Sequence, residues 1–172
     1  MKVSYSCLPN MGNEISRHNK KILLPDVQDN PTCNCRNKSS CPLPSKCTTT
    51  NVVYKAEVTR EDGGATTTYT GLTEGPFKAR WQRHMTSFRH ERYKHDTKLS
   101  TYIWSLKEKD IQYSITWSVS GRASSYNPAT KKCRLCLLEK FFILYRPQAS
   151  KLNQRSELFS KCLHKAKHLL YK

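Results

Sequence analysis

Acidic residues are scarce in this chain. Its 172 residues include 13 Asp and Glu against 30 Lys and Arg, a formal net charge of +17. Such a field speaks about partners and not about fold. It points to a polyanion, either nucleic acid or an anionic membrane surface. Long apolar runs are also missing. A spanning helix needs roughly 18 or more apolar residues in a row. The best stretch, Leu135 to Tyr145, is interrupted by Glu139 and Lys140. No membrane span is expected, and nucleic acid becomes the favoured partner. Met1 to Ser6 lack the apolar segment of a secretion signal, so no export is expected. No internal repeat is visible. Cysteine, by contrast, is abundant, with eight in the chain. Without a secretion signal, that number points to metal ligation over disulfides. Reduced structural thiols are the alternative.

Composition divides the chain. Residues 1–32 have weak periodicity and many polar side chains, as in a flexible leader or linker. Residues 33–50 are rich in Cys and Pro, and Pro42 and Pro44 forbid regular helix there. A zinc knuckle is expected in that stretch. Residues 51–155 carry the patterns of a folded domain. Residues 156–172 read as a basic C-terminal helix packed on it, with Ser156 as N-cap.

Within the domain, Val52, Tyr54, Ala56 and Val58 alternate with more polar neighbours, as in a strand. Glu61-Asp62-Gly63-Gly64 has hairpin-turn chemistry, and Thr66 to Gly71 supplies a second, Thr/Tyr-rich strand. Phe77, Trp81, Met85 and Phe88 lie on one face of a helix, with Pro76 near its first turn. Leu99, Ile103 and Leu106 mark a second helix, N-capped by Thr97. Ile111 to Val119 alternate strictly, as in a half-buried strand. Gly121 to Lys132 read as a polar loop. Cys133 to Tyr145 form an apolar helix that stops before Pro147. The order β-β-α-α-β-α-α predicts an α+β fold, a small antiparallel three-stranded sheet flanked by helices.

Several residues can carry chemistry. Arg80 and His84 are four apart and share a helix face, with Arg83 flanking it. A guanidinium clamps phosphate through paired hydrogen bonds, and histidine moves protons near neutral pH. The competing reading is a solvated basic face. Glu139 sits in an apolar helix, where an unpaired carboxylate is costly to bury. It therefore lines a cleft, binds a metal or pairs with a cation. A single carboxylate suits Mg2+, which keeps several waters and takes other ligands from phosphates. Tyr54 and Tyr69 sit on the two hairpin strands, where ordinary strand aromatics are the bland alternative.

Taken together, Val52-Val53-Tyr54, Tyr69-Thr70-Gly71, Arg80-Trp81-Gln82-Arg83-His84, His95, Glu139 and Asn153 resemble the GIY-YIG nuclease superfamily in order and spacing. The resemblance covers about residues 50 to 155. Val-Val-Tyr stands where Gly-Ile-Tyr is usual, and Thr70 replaces the usual Ile. A closer resemblance runs through Cys33-Asn34-Cys35, Val53 to Val58, Gly71 to Glu74, Tyr102 to Lys107 and Arg155 to Leu158. These stretches are similar to the C-terminal endonuclease region of Penelope-like retroelements. Many of those proteins place a cysteine pair between the two tyrosine motifs, and residues 55–68 contain none.

The resemblance implies a GIY-YIG-like fold for residues 51–155 and a nuclear DNA endonuclease using one Mg2+ or Mn2+. Glu139 holds the metal against the scissile phosphate. Tyr54 acts as, or positions, the general base. Arg80 neutralises charge on the phosphate. Tyr69 and His84 hydrogen-bond the nucleophile or a phosphate oxygen, and His95 and Asn153 support orientation. Lys78, Arg83, Arg89 and Arg155 contact DNA. The expected products are a 5′-phosphate and a 3′-hydroxyl that primes reverse transcription. A reverse transcriptase domain in a longer polyprotein is the implied partner.

The cysteines suggest two zinc sites. Cys33, Cys35, Cys41 and Cys47 can form one of four thiolates. Cys133 and Cys136 form a half-site that Cys162 and His164 can complete. A mixture of the two sets is equally drawable, and Cys7 is left over. A structural zinc contributes folding free energy, and the knuckle presents Arg36, Lys38 and Lys46 to phosphates. The main rival function is a non-catalytic zinc-containing DNA-binding module derived from such a nuclease. Decay would strike some acid, base or cation positions, and all are present. A ribosomal-type RNA-binding protein fits the charge but leaves Glu139 unexplained.

Overall fold

A computed structural model describes residues 33–128, 132–153, 159–161 and 167–169. The expected leader of residues 1–32 lies outside them. The fold is α+β: a three-stranded antiparallel sheet with three helices, preceded by a four-cysteine cluster.

Strands β1 (Val52–Arg60), β2 (Thr67–Thr73) and β3 (Tyr113–Arg122) are ordered β2-β1-β3. The β1–β2 hairpin turns through Gly63, whose φ of 76° suits glycine. In it Tyr54 faces Gly71, and Ala56 faces Tyr69. β3 reaches the other edge of β1 after two intervening helices, which makes the first strand central. The register between β1 and β3 shifts between Val53 and Tyr54: Val53 pairs with Gly121, but Tyr54 pairs with Val119. The extra residue is Ser120 of β3, and such a bulge bends the strand that carries it.

Helix α1 (Phe77–Arg89) and helix α2 (Lys98–Glu108) cover the face bearing Val52, Tyr54, Ala56 and Val58. Phe77, Phe88, Leu99, Ile103, Leu106 and Trp117 fill this core. Leu99, Ile103 and Leu106 are buried as their spacing predicts, and Thr97 caps α2 by accepting from the Ser100 amide at 3.0 Å. The α1 stripe is rotated from expectation. Phe77 and Phe88 are buried, but Trp81 and Met85 are only half-buried, and His84 lies inside with Ser87. Trp104 and Lys107 of α2 donate to the Ser87 and Phe88 carbonyls, so hydrogen bonds tie α1 to α2.

Helix α3 (Arg134–Tyr145) packs Leu135, Cys136 and Phe142 with Val53 in a second cluster. Part of the expected loop before it is ordered: β4 (Tyr126–Asn127) pairs with β5 (Lys132–Cys133). Two residues per strand are too few to show an alternation in sequence. The C-terminal helix expected over residues 156–172 is corrected. Phe159–Lys161 (β6) pairs antiparallel with Lys167–Leu169 (β7), while Ser156 lies outside the described residues. Three-residue strands carry no legible period, and here strand pairing prevails over helix-forming composition. Among the described residues no helix is long and apolar enough to cross a membrane.

Candidate active site and cysteine cluster

Tyr54 is the hub of the site. It is fully buried, and its hydroxyl lies 2.8 Å from His84 Nε2. Arg80 Nε donates to the same hydroxyl oxygen at 3.0 Å. With Arg80 donating, the phenol proton is free to point at Nε2. His84 is therefore written as the acceptor, an assignment that places its own proton on Nδ1. Phe77 and Trp117 pack edge-on or tilted against the Tyr54 ring, with centroids 5.3 and 5.9 Å away. His84 is held between Tyr54, Tyr69, Phe88 and Trp117, with ring centroids 5.4–6.0 Å away.

Gly71 explains the second tyrosine motif. A Cβ there would stand 2.6 Å from the Tyr54 hydroxyl oxygen and 3.1 Å from Tyr69 Cε1. Only a residue without a side chain lets the two tyrosines meet across the hairpin. Asn153 holds the strand from outside. Its side chain accepts from the Thr70 amide and donates to the Thr70 carbonyl, both at 2.9 Å. It serves the β2 edge as a partner strand would, one residue from both Tyr69 and Gly71.

Electrostatics link these groups to α3. Burial first, and then Tyr69, push the Tyr54 phenol above its ordinary range, while Arg80 pulls it down. Burial raises Tyr69 as well, against Arg80. Burial works against the Arg80 charge, yet the oxygens of Tyr54 and Tyr69 outweigh it. His84 is lowered to about 3, by burial and then by the Arg80 charge, so it is a neutral imidazole at ordinary pH. Burial raises the Glu139 carboxyl to about 7, with Lys140 and Arg80 opposing. Among the described residues Glu139 joins no ion pair, so the salt-bridge alternative finds no support there.

Five of the sequence-selected residues thus converge: Tyr54 and Tyr69 from the hairpin, Arg80 and His84 from α1, and Glu139 from α3. Arg80 opens onto a cleft of 640 Å³ that Arg83, Tyr93 and Asp96 also line. A half-buried carboxyl without an ion pair, close enough to feel a guanidinium in an open cleft, fits a Mg2+ that draws its other ligands from water and phosphate. His95 is exposed and reaches none of the five among the described residues. Arg83 and Arg89 are exposed. Lys78 Nζ donates to Asn34 Oδ1 at 3.0 Å. Arg155 lies outside the described residues. Sequence reasoning missed Trp117, which wedges against Tyr54, Phe77 and His84. Its only signal was a bulky aromatic on the apolar face of the alternating strand.

The N-terminal cysteines form a compact cluster. Cys33, Cys35, Cys41 and Cys47 bring their sulfurs within 4.8 Å of one another, and the four could hold a metal ion such as zinc. The Cys33–Cys41, Cys35–Cys47 and Cys33–Cys47 contacts are 3.5 Å. Zinc–sulfur bonds of about 2.3 Å in a tetrahedron space the sulfurs about 3.8 Å apart, close to these contacts. A main-chain hydrogen bond from Cys35 lowers the Cys33 thiol to about 7, whereas burial drives Cys47 up to about 12. Cys133 and Cys136 are buried and form no disulfide among the described residues, but Cys162 and His164 lie outside them. The chain matches no protein-family model, no curated protein and no solved structure.

Proposed function

We propose that this protein is a divalent-metal-dependent DNA endonuclease of the GIY-YIG type that nicks one strand by phosphodiester hydrolysis. The convergence of Arg80, Tyr54, His84, Tyr69 and Glu139 on one cluster carries the reading. Arg80 presents its guanidinium to the scissile phosphate and offsets charge there, while its Nε stays on Tyr54. Tyr54, kept protonated by burial, orients the attacking water through its hydroxyl. Neutral His84 fixes the direction of that hydroxyl. Tyr69 hydrogen-bonds a phosphate oxygen from the neighbouring strand. The Glu139 carboxylate would hold Mg2+ or Mn2+, which supplies Lewis-acid stabilisation of charge on the phosphate when bound.

Water attacks phosphorus and gives up a proton, the bond to the 3′ oxygen breaks, and that oxygen takes a proton up. The ends are a 5′-phosphate and a 3′-hydroxyl. A 3′-hydroxyl can prime reverse transcription, which fits a nuclear role in retroelement integration beside a reverse transcriptase domain of a longer polyprotein. The net charge of +17 supports DNA as the partner. The four-cysteine cluster would hold structural Zn2+.

Supercoiled plasmid incubated with the protein and Mg2+ or Mn2+ tests the reading. Nicked circles are expected from the wild type. Glu139→Gln and Arg80→Ala should each lower the rate by at least about a hundredfold while DNA binding survives. A folded Glu139→Gln variant that nicks at the wild-type rate removes the assignment. Salt-sensitive binding without any nicking by the wild type would favour the non-catalytic DNA-binding module.

A further inference from the structure

The first turn of a helix leaves four main-chain N–H groups without intrahelical partners. In α1 these positions are Pro76, which has no N–H, and Phe77, Lys78 and Ala79. No side chain caps this end, because the N-cap residue is Pro76. The Pro76 carbonyl takes the Ala79 and Arg80 amides at 3.1 and 3.4 Å. The other two donors leave the helix altogether. Phe77 N–H donates to the Thr49 carbonyl at 2.9 Å, and Lys78 N–H to the Cys47 carbonyl at 2.7 Å. The cysteine-rich segment thus caps the helix through its main chain.

Cys47 belongs to both structures. Its sulfur sits in the thiol cluster, and its carbonyl sits on α1. It is fully buried, and Leu43, four residues earlier, inserts into the main core. A second tie runs from Lys78 Nζ to Asn34 Oδ1, between the ligand positions Cys33 and Cys35. Two residues beyond Lys78 is Arg80, whose guanidinium holds the Tyr54 hydroxyl. The path from sulfur cluster to phosphate-facing residue therefore passes through one carbonyl and about half a helical turn.

We propose that the four-cysteine knuckle is the N-terminal cap of the Arg80 helix, and that metal held by Cys33, Cys35, Cys41 and Cys47 fixes where that helix begins. Cys47 is then a positioning residue: it touches no substrate and acts by placing Arg80. The physical reason is the knuckle's lack of regular secondary structure of its own. Residues 33–50 contain turns and bends but no helix or strand. Without a metal the four sulfurs are held only by contacts within 4.8 Å of one another. With a metal they are four bonds to one point, and the Cys47 carbonyl gains a fixed position. The effect on turnover rests on the nuclease reading; the capping itself does not.

Two measurements on the full chain test this. The first is amide hydrogen exchange of the zinc-loaded protein before and after zinc is removed by a chelator. Selective loss of protection at Phe77 and Lys78, at least about a hundredfold, is expected while Val58 and Ile103 keep theirs. Unchanged protection at Phe77 and Lys78 overturns the proposal. So does an equal loss throughout the sheet and α2, which would make the metal a global staple and not a cap. The second is steady-state nicking by Cys35→Ala and Cys35→His. Cys35→Ala should lose zinc and drop kcat at least about tenfold with KM within about twofold. Cys35→His can still ligate zinc, and should restore both metal content and kcat to within about threefold. A folded, zinc-free Cys35→Ala variant with wild-type kcat refutes the positioning role and leaves the nuclease reading intact. If the zinc-loaded wild type itself fails to nick, the nuclease reading falls, and the exchange experiment alone decides the cap.

Discussion

His84 should make this protein sensitive to acid in a way that a second residue hides. Its ordinary value of 6.5 drops to about 3 in the folded state. The unfolded chain then binds the proton more readily than the folded one, so stability rises with pH across this window. The contribution is fully present above 6.5 and is lost as pH falls toward 3. By pH 5 the loss from His84 alone is roughly 2 kcal/mol. Glu139 has the opposite sign. Its folded value is raised from 4.5 to about 7, so its contribution is present below 4.5 and is lost as pH rises through 7. Between pH 5 and 7.5 that loss is also roughly 2 kcal/mol. The wild type should therefore show a nearly flat profile, with the two slopes cancelling.

Substitution separates them. Glu139→Gln removes the carboxylate and leaves the histidine slope, so this variant should lose roughly 2 kcal/mol on going from pH 7.5 to 5. His84→Gln keeps a hydrogen-bond acceptor beside Tyr54 and should gain stability over the same range. Urea unfolding of the three proteins, without added Mg2+, reads all the slopes. The groups facing His84 are the phenols of Tyr54 and Tyr69 and the guanidinium of Arg80, none of which titrates in that interval. If Glu139→Gln is as stable at pH 5 as at pH 7.5, His84 is not held neutral by burial. The geometry that has it accept from Tyr54 would then fail.

Gly71→Ala should be far more damaging than a methyl group suggests. The new Cβ meets the Tyr54 oxygen at 2.6 Å, and Tyr54 is fully buried with nowhere to retreat. A loss of about 1–3 kcal/mol in thermal or urea unfolding and a nicking rate down at least tenfold are expected; a neutral variant would show the tyrosine pair is not tightly held. Asn153→Ala removes both side-chain bonds to Thr70, at about 1 kcal/mol each. Faster exchange of the Thr70 amide is its specific signature, and unchanged exchange would show that the β2 edge is held by other means.

Much of the architecture was legible along the chain because it is written in local periods. The alternation of Val52, Tyr54, Ala56 and Val58 and of Tyr113, Ile115, Trp117 and Val119 marks half-buried strands. The Leu99-Ile103-Leu106 stripe and the Thr97 cap mark α2. Glu139 was conspicuous for the same reason, as a charge interrupting an apolar period. The short β4–β5 and β6–β7 pairs were not legible, because a strand of two or three residues has no period. His84 was visible as a neighbour of Arg80, but its burial was not: α1 turns its Phe77–His84–Phe88 face to the sheet only because Trp117 and Tyr54 shape a slot for it.

The sequence by itself determined the types of the longer elements, the turn at Gly63, the clustering of four cysteines within fifteen residues and the excess of positive charge. All of these depend on residues close together in the chain. Tertiary structure alone decided that β1 is the central strand, that β3 carries an extra residue, Ser120, opposite the Val53–Tyr54 step, and that Cys47 places its carbonyl on the Lys78 amide. Those outcomes depend on register and docking between distant segments. Shape and hydrogen-bond complementarity across the whole core set them, and no spacing within one segment encodes that.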